Sequence, residues 1–263
     1  MPQNIIIFGE CGAGKSSLIN LMCGSSLAAI SSAANGCTLH ASPYMYHDPS
    51  GTSFKFWDTA GLNEGEGGRV PNVEAIVRLY QLIMSLHDGI SLLVFVMRAP
   101  RIKDASVKNW ILFREIICRS QVPAVIAVTG LEGEYNMDAW WTQNQNTFRS
   151  QGINPADHAC VSGTRGKQNR NGTHKYDDEY GQSREKMLGM VKRHYLRQPW
   201  RPHRVEWFRE VVSVSYESRG WCRSPREKKE IRQVAGQGIE QLKRQCAMSD
   251  DEARKLGERL MKG

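Results

Sequence analysis

The sequence predicts an α/β domain, with a mostly parallel, doubly wound sheet flanked by helices, followed by an α-helical extension. Three observations predict it. Over the first 165 residues, short apolar runs alternate with longer segments of helical period, the pattern of a parallel sheet covered by helices. A glycine-rich stretch, Gly9-Glu-Cys-Gly-Ala-Gly14-Lys15-Ser16, separates the first apolar run from the first helical segment. After "RQPWRP" (197–202) the chain changes to basic sequence with helical spacing, so residues 1–199 read as the α/β domain and 200–263 as a basic helical extension.

The elements follow in order. "IIIF" (5–8) is a buried strand, and a helix begins near Lys15. "SFKFWD" (53–58) is a second strand. "VEAIVRLYQLIMSL" (73–86) puts Val73, Ile76, Val77, Tyr80, Ile83 and Met84 on one helical face. "ISLLVFVM" (90–97) is a continuous buried strand, followed by the helix "ASVKNWILFREIICRS" and the strand "VPAVIAV". "AWWTQNQNTFRSQ" (139–151) is a further helix and "HACVSG" (158–163) the last strand. The polar stretch 165–182 reads as a mobile loop, and "SREKMLGMVKRHYL" as the closing helix, with Met187, Met190 and Val191 facing the sheet and Leu188 beside them. In the extension, "SPRE" (224–227) and "SDDE" (249–252) read as two capping boxes opening two amphipathic helices. Ile231, Val234, Ile239, Leu242 and Cys246 would form the stripe of the first, and Ala253, Leu256 and Leu260 that of the second.

Composition bounds the function. No stretch approaches the roughly 18 uninterrupted apolar residues of a membrane span. The start "MPQNIIIFGE" has no basic region ahead of its apolar run, so a soluble, cytoplasmic protein is expected. Seven scattered cysteines, without zinc-site spacing, read as free thiols. The net charge of +8 is uneven: residues 1–164 carry 11 Lys/Arg and 13 Asp/Glu, and residues 165–263 carry 24 and 14. That basicity suits an anionic partner, nucleic acid or a phospholipid surface, although its interleaving with acids at helical spacing suits a solvated helix face as well. Trp200, Trp207, Phe208 and Trp221 among the arginines either meet such a surface or anchor the extension, and "RSPR" (223–226) is open to phosphorylation or is part of a cap.

The glycine-rich stretch carries the strongest chemical signal. Glycines between a strand and a helix let backbone N–H groups turn inward on a phosphate, a lysine bridges two phosphates as a cation, and a serine hydroxyl offers itself to Mg²⁺. Glu10, Cys11, Gly12, Ala13, Gly14, Lys15, Ser16 and Ser17 are therefore the phosphate-binding candidates. Asp58-Thr-Ala-Gly61 closes the second strand 42 residues after Ser16. An Asp there can hold Mg²⁺ through a water, while the Gly61 N–H senses a γ-phosphate, and the following "LNEGEGG" fits a switch segment. Thr38, in "NGCTLHASPY", is the candidate hydroxyl that closes over the metal, with Ser32 and Ser42 as competitors.

Together "GECGAGKSSLIN", "GCT" and "WDTAGLNEG" resemble the translation-factor-like class of GTPases. Within it they look like the septin-related branch, which includes AIG1-type immune-associated GTPases, chloroplast import receptor GTPases and small fungal G-domain proteins. The resemblance covers residues 4–165 and extends to the helix ending near 197; the last 65 or so residues have no counterpart in it. It implies a P-loop NTPase G domain that takes GTP or GDP with Mg²⁺, with Ser16, Thr38 and Asp58 as the metal set and Lys15 and Thr38 as catalytic residues.

Departures from the family pattern matter here. The base-reading strand of the family ends in Asn/Thr-Lys-x-Asp, whereas this chain has Thr129-Gly-Leu-Glu132. Glu132 reaches the same guanine N–H groups if the backbone recedes by about a methylene, which Gly130 permits; otherwise it is an exposed loop carboxylate. Without the Lys stem that covers the base, affinity should be lower. Ser162 and Gly163 fall where the family offers a backbone N–H to the guanine O6. Ras-like enzymes place Gln where this chain has Leu62, so intrinsic hydrolysis should be slow. The resembled branch compensates by pairing two G domains face to face, with Arg69 and His40 here as candidates for the residue acting in trans, or else as solvated loop residues. Three functions remain open: a guanine-nucleotide switch, a non-hydrolysing nucleotide-binding interaction module, and an ATP-using P-loop enzyme.

Overall fold

A computed structural model of the chain describes residues 1–24, 42–59, 73–100, 102–201, 209–217, 226–235 and 237–262. The chain divides into two compact units, Met1–Pro202 and His203–Gly263.

The first unit is built on a six-stranded sheet. Its strands are β1 (Gln3–Phe8), β2 (Ser42–His47), β3 (Ser53–Asp58), β4 (Leu92–Arg98), β5 (Ala124–Thr129) and β6 (His158–Cys160), in the order β2-β3-β1-β4-β5-β6. All neighbours are parallel except β2, which pairs antiparallel with β3. The helices are α1 (Lys15–Cys23), α2 (Val73–Ser85), α3 (Asp104–Trp110), α4 (Met137–Ser150) and α5 (Asp177–His194). This is the doubly wound α/β architecture that the sequence predicts.

Alternation along the strands makes two cores. Ile5 and Ile7, Val94 and Val96, and Val125 and Ala127 turn one way and pack with Leu18 and Met22 of α1 and Met187, Met190 and Val191 of α5. Phe8 and Phe95 turn the other way, where Phe8 stacks on Phe113 at 4.1 Å between centroids and Phe95 meets the edge of Trp110 at 5.9 Å. Because both faces are covered, these strands are continuous apolar runs.

Three segments depart from expectation. β2 is a strand that "SPYMYH" does not announce, since only its pairing with β3 defines it. The helix expected after β4 is α-helical through Trp110, then continues as a π-helical segment, Ile111–Ile117. The expected mobile loop 165–182 is instead a closed turn, with the Tyr176 N–H bonded to the Arg165 carbonyl (2.9 Å) and that of Lys175 to the Lys167 carbonyl (3.0 Å). α5 already begins at Asp177, with Asp177, Asp178 and Glu179 in its first turn and Lys192 and Arg193 in its last, each favourable to the helix dipole.

The second unit corrects the all-helical reading of the extension. Residues Arg226–Ala235 form a strand, β8, antiparallel to β7 (Arg209–Glu217), so Ile231 and Val234 lie on a hairpin and not on a helical stripe. The alternating, β-branched "EVVSVSY" of β7 gives the basic segment a partner, and ladder pairing outweighs its helical spacing. Ser224 and Pro225 of the first expected capping box lie outside the described residues. Two helices follow, α6 (Gln237–Cys246) and α7 (Asp250–Lys262). The second capping box forms: the Ser249 N–H donates to Glu252 Oε2 (2.8 Å) and the Glu252 N–H to Ser249 Oγ (3.3 Å). Ile239, Leu242, Cys246, Ala253 and Leu256 of these helices are buried.

Among the described residues no helix is long and apolar enough to cross a membrane. Among the described residues, Cys23, Cys118, Cys160 and Cys246 form no disulfide. Cys11 is disulfide-bonded, which departs from the expectation of free thiols throughout.

Candidate functional site

The C-terminal ends of β1, β3, β5 and β6 gather most of the described candidate residues at one edge of the sheet, the edge where α/β folds bind ligands. The loop from β1 to α1 is shaped by its glycines. At Gly9 a Cβ would lie 2.1 Å from the Val96 carbonyl oxygen of β4, so no other residue lets the loop leave the sheet along this path. Gly12 (φ 74°) and Gly14 (φ 96°) take the left-handed conformation. Gly14 caps α1 without a side-chain hydrogen bond, and the first turn of α1 carries no acid. A helix N-terminus of this kind offers N–H groups and a positive dipole end to an anion.

Lys15, 7% exposed, curls back so that Nζ donates to the Gly9 carbonyl (3.1 Å) and the Glu10 carbonyl (2.9 Å). Ser16 Oγ donates to Asp58 Oδ2 at 2.7 Å, joining two residues 42 apart in sequence. Asp58 Oδ1 is buried with no hydrogen-bond partner among the described residues. Burial raises the Asp58 carboxyl above its ordinary value, against the lowering effect of the Ser16 hydroxyl and the Lys15 charge. A hydroxyl and a half-satisfied carboxylate side by side are hard oxygen donors suited to Mg²⁺. The residues present therefore fit the ion that the sequence implies.

The base-side candidates separate into different roles. Thr129 is buried, and its hydroxyl donates to the Ala13 carbonyl (2.7 Å), with the Met97 carbonyl at 3.3 Å. It ties the end of β5 to the phosphate-binding loop, leaving no hydroxyl donor for a base. Glu132 is half-buried in the turn after β5 and makes no hydrogen bond or ion pair among the described residues. The N–H of Ser162 donates to Ser183 Oγ of α5 (2.9 Å), and its hydroxyl donates to the Thr164 carbonyl (2.7 Å). Both donors of Ser162 are thus engaged within the protein, whereas Gly163 follows directly in the same turn. A Cβ at Gly163 would stand 3.3 Å from the Cβ of Ser17, which sets this turn against α1.

Thr38, His40, Gly61, Leu62 and Arg69 lie outside the described residues. The structure adds residues that no motif marks. Lys103 Nζ (3.1 Å) and Ser106 Oγ both donate to the Glu10 carboxylate, fixing the front of the loop to the segment that opens α3. Their signal in the sequence is only the run "MRAPRIKDAS" after β4, whose meaning depends on where β4 ends.

Residues 4–129 match the model of the 50S ribosome-binding GTPase family. No curated protein matches the sequence. Among solved structures, the chain is similar to Era in complex with MgGDPNP and a 16S ribosomal RNA fragment (16% identity, TM-score 0.51), the likeness covering 76% of this chain and 59% of that one. It is also similar to Toc33 from Arabidopsis thaliana in complex with GDP and Mg²⁺ (14% identity, TM-score 0.52, 74% of this chain and 86% of that one). A third likeness is to a chloroplast translocon component, of the pair atToc33 and psToc159, for whose GTPase activity dimerisation is important (13% identity, TM-score 0.53, 73% and 82%). At such identities the structures establish the fold, that of a P-loop GTPase G domain.

Proposed function

We propose that this protein is a P-loop GTPase, a Mg²⁺-dependent guanine-nucleotide switch of the septin/AIG1-like branch, slow to hydrolyse GTP alone and regulated by pairing of its G domains. The observation that carries the reading is the Ser16–Asp58 contact, with the buried Asp58 Oδ1 beside it, which has no partner among the described residues. Mg²⁺ held there, by Ser16 and by Asp58 directly or through water, would neutralise phosphate charge. Around it, the N-terminus of α1 receives the phosphates, and Lys15 moves from the Gly9 and Glu10 carbonyls to phosphate oxygens. Glu132, with its carboxylate unengaged, accepts from the guanine N1 and N2 groups. Slow hydrolysis follows from Leu62, whose side chain cannot orient a water. Support for pairing comes from the likeness to translocon GTPases whose activity depends on dimerisation.

Leu62 also favours a second reading, a nucleotide-binding interaction module that never turns over. Single-turnover GTP hydrolysis at rising protein concentration separates the two: a rate that climbs with concentration supports the paired switch, and no hydrolysis at any concentration supports the module.

The primary test is titration of nucleotide-free protein with GTP, GDP, ATP and ADP in Mg²⁺, alongside Glu132→Ala. Guanine nucleotides should bind more tightly, and the variant should lose about 1–3 kcal/mol of that preference. Equal binding of ATP and GTP by the wild type would sink the guanine reading.

A further inference from the structure

Arg98 is the last residue of β4 and lies opposite Thr129 of β5. Its side chain runs across to Gly130, where a Cβ would sit 3.0 Å from Arg98 Cγ, 3.3 Å from Nε and 3.4 Å from Cζ. The arginine thus occupies the space in which a side chain at position 130 would begin. Gly130 (φ +80°) is required by that crowding and by its own backbone, beyond any freedom it lends to Glu132.

Arg98 also borders the phosphate-binding loop, lining a cavity of about 90 Å³ with Glu10, Cys11, Gly12 and Ala13. The acid in that cavity, Glu10, is already engaged by Lys103 and Ser106. Arg98 is exposed and makes no hydrogen bond or ion pair among the described residues. A planar cation with no partner therefore stands between the loop that takes phosphates and the turn that carries Glu132.

Resting on the guanine-nucleotide reading, we propose that Arg98 lies against one face of the bound purine and supplies base affinity without base identity. A nucleotide with its phosphates on the N-terminus of α1 and its base at Glu132 passes this guanidinium. The phosphates already have Lys15 and the helix N-terminus, which leaves the aromatic face as the unmet surface. A guanidinium stacks on such a face through its plane as well as its charge. Every purine has that face, so identity is left to the hydrogen bonds of Glu132. In this division of labour, Arg98 from β4 covers the base in a chain that has glycine at position 130.

The test is calorimetric titration of wild type, Arg98→Ala and Arg98→Lys with GDP and with inorganic pyrophosphate, all in Mg²⁺. Arg98→Ala should weaken GDP about 3- to 30-fold while leaving pyrophosphate unchanged within about 2-fold, and Arg98→Lys should restore only part of the loss. Equal losses for both ligands would place Arg98 on the phosphates and overturn the proposal, as would unchanged GDP affinity in Arg98→Ala or full recovery in Arg98→Lys. Wild type that binds pyrophosphate but gains nothing from the guanosine would sink the guanine-nucleotide reading itself, and that result is visible without any variant.

Discussion

The two units of this chain are specified in different ways. In Met1–Pro202, β1, β4 and β5 are built around runs of Ile, Val, Leu, Phe and Ala buried on both faces. A run of that kind has one low-energy destination, the centre of a sheet covered by helices. In His203–Gly263, β8 is Arg-Glu-Lys-Lys-Glu-Ile-Arg-Gln-Val-Ala, in which charges at helical spacing coexist with a pattern that a hairpin also tolerates. Its partner β7 decides between them. Deep burial leaves the chain little choice, whereas a charged segment takes its conformation from whatever it pairs with.

The contrast predicts that the first unit is sensitive at single atoms and the second is not. The largest effect is expected at Gly9. A methyl group there meets the Val96 carbonyl oxygen at 2.1 Å, so Gly9→Ala should cost about 3 kcal/mol of stability and abolish nucleotide binding. Urea denaturation and GDP titration read the two effects. A fully stable, GDP-binding variant would show that the loop is as forgiving as the second unit.

Asp58 sharpens the comparison because its two effects have opposite sign. Its carboxyl is raised in the folded protein, so the unfolded chain gives up this proton more readily. Between the ordinary carboxylate value and the raised one the folded state holds more of the proton, and nucleotide-free stability therefore falls as pH rises through that window. Asp58→Asn should remove this fall and gain about 1 kcal/mol near neutral pH while eliminating the Mg²⁺-dependent part of GDP affinity. Melting temperatures across acidic to neutral pH, with GDP titrations with and without Mg²⁺, follow both. Unchanged Mg²⁺ dependence in the variant would break the assignment of Asp58 to the ion.

The smallest effect is expected in the second unit. Ser249→Ala removes the reciprocal cap of α7 and should cost about 1 kcal/mol there, with GDP affinity unchanged. Hydrogen exchange of the α7 amides measures the first and titration the second. A drop in GDP affinity would mean that the two units are energetically coupled.

Much of the candidate site is legible because it is local. The glycines, Lys15 and Ser16 sit within eight residues, and Asp58 ends a strand whose apolar run is visible unaided. The base side is less legible because its residues act through distant partners. Thr129 matches the motif, yet its hydroxyl is committed to Ala13, 116 residues earlier. Ser162 falls at the expected place, but its N–H is taken by Ser183 on α5. The Glu10 anchor at Lys103 and Ser106, and the arginine over Gly130, have no signature, since each depends on where β4 stops.

By itself the sequence determined the parallel sheet of the first unit, its closing helix and the phosphate-binding loop. Burial and backbone conformation impose those through composition and short-range spacing. Tertiary structure decided the hairpin of the second unit, the antiparallel β2, the engagement of Thr129 and Ser162, and the placement of Arg98 over Gly130. Those outcomes rest on contacts between residues far apart in the chain, whose energies no local window contains.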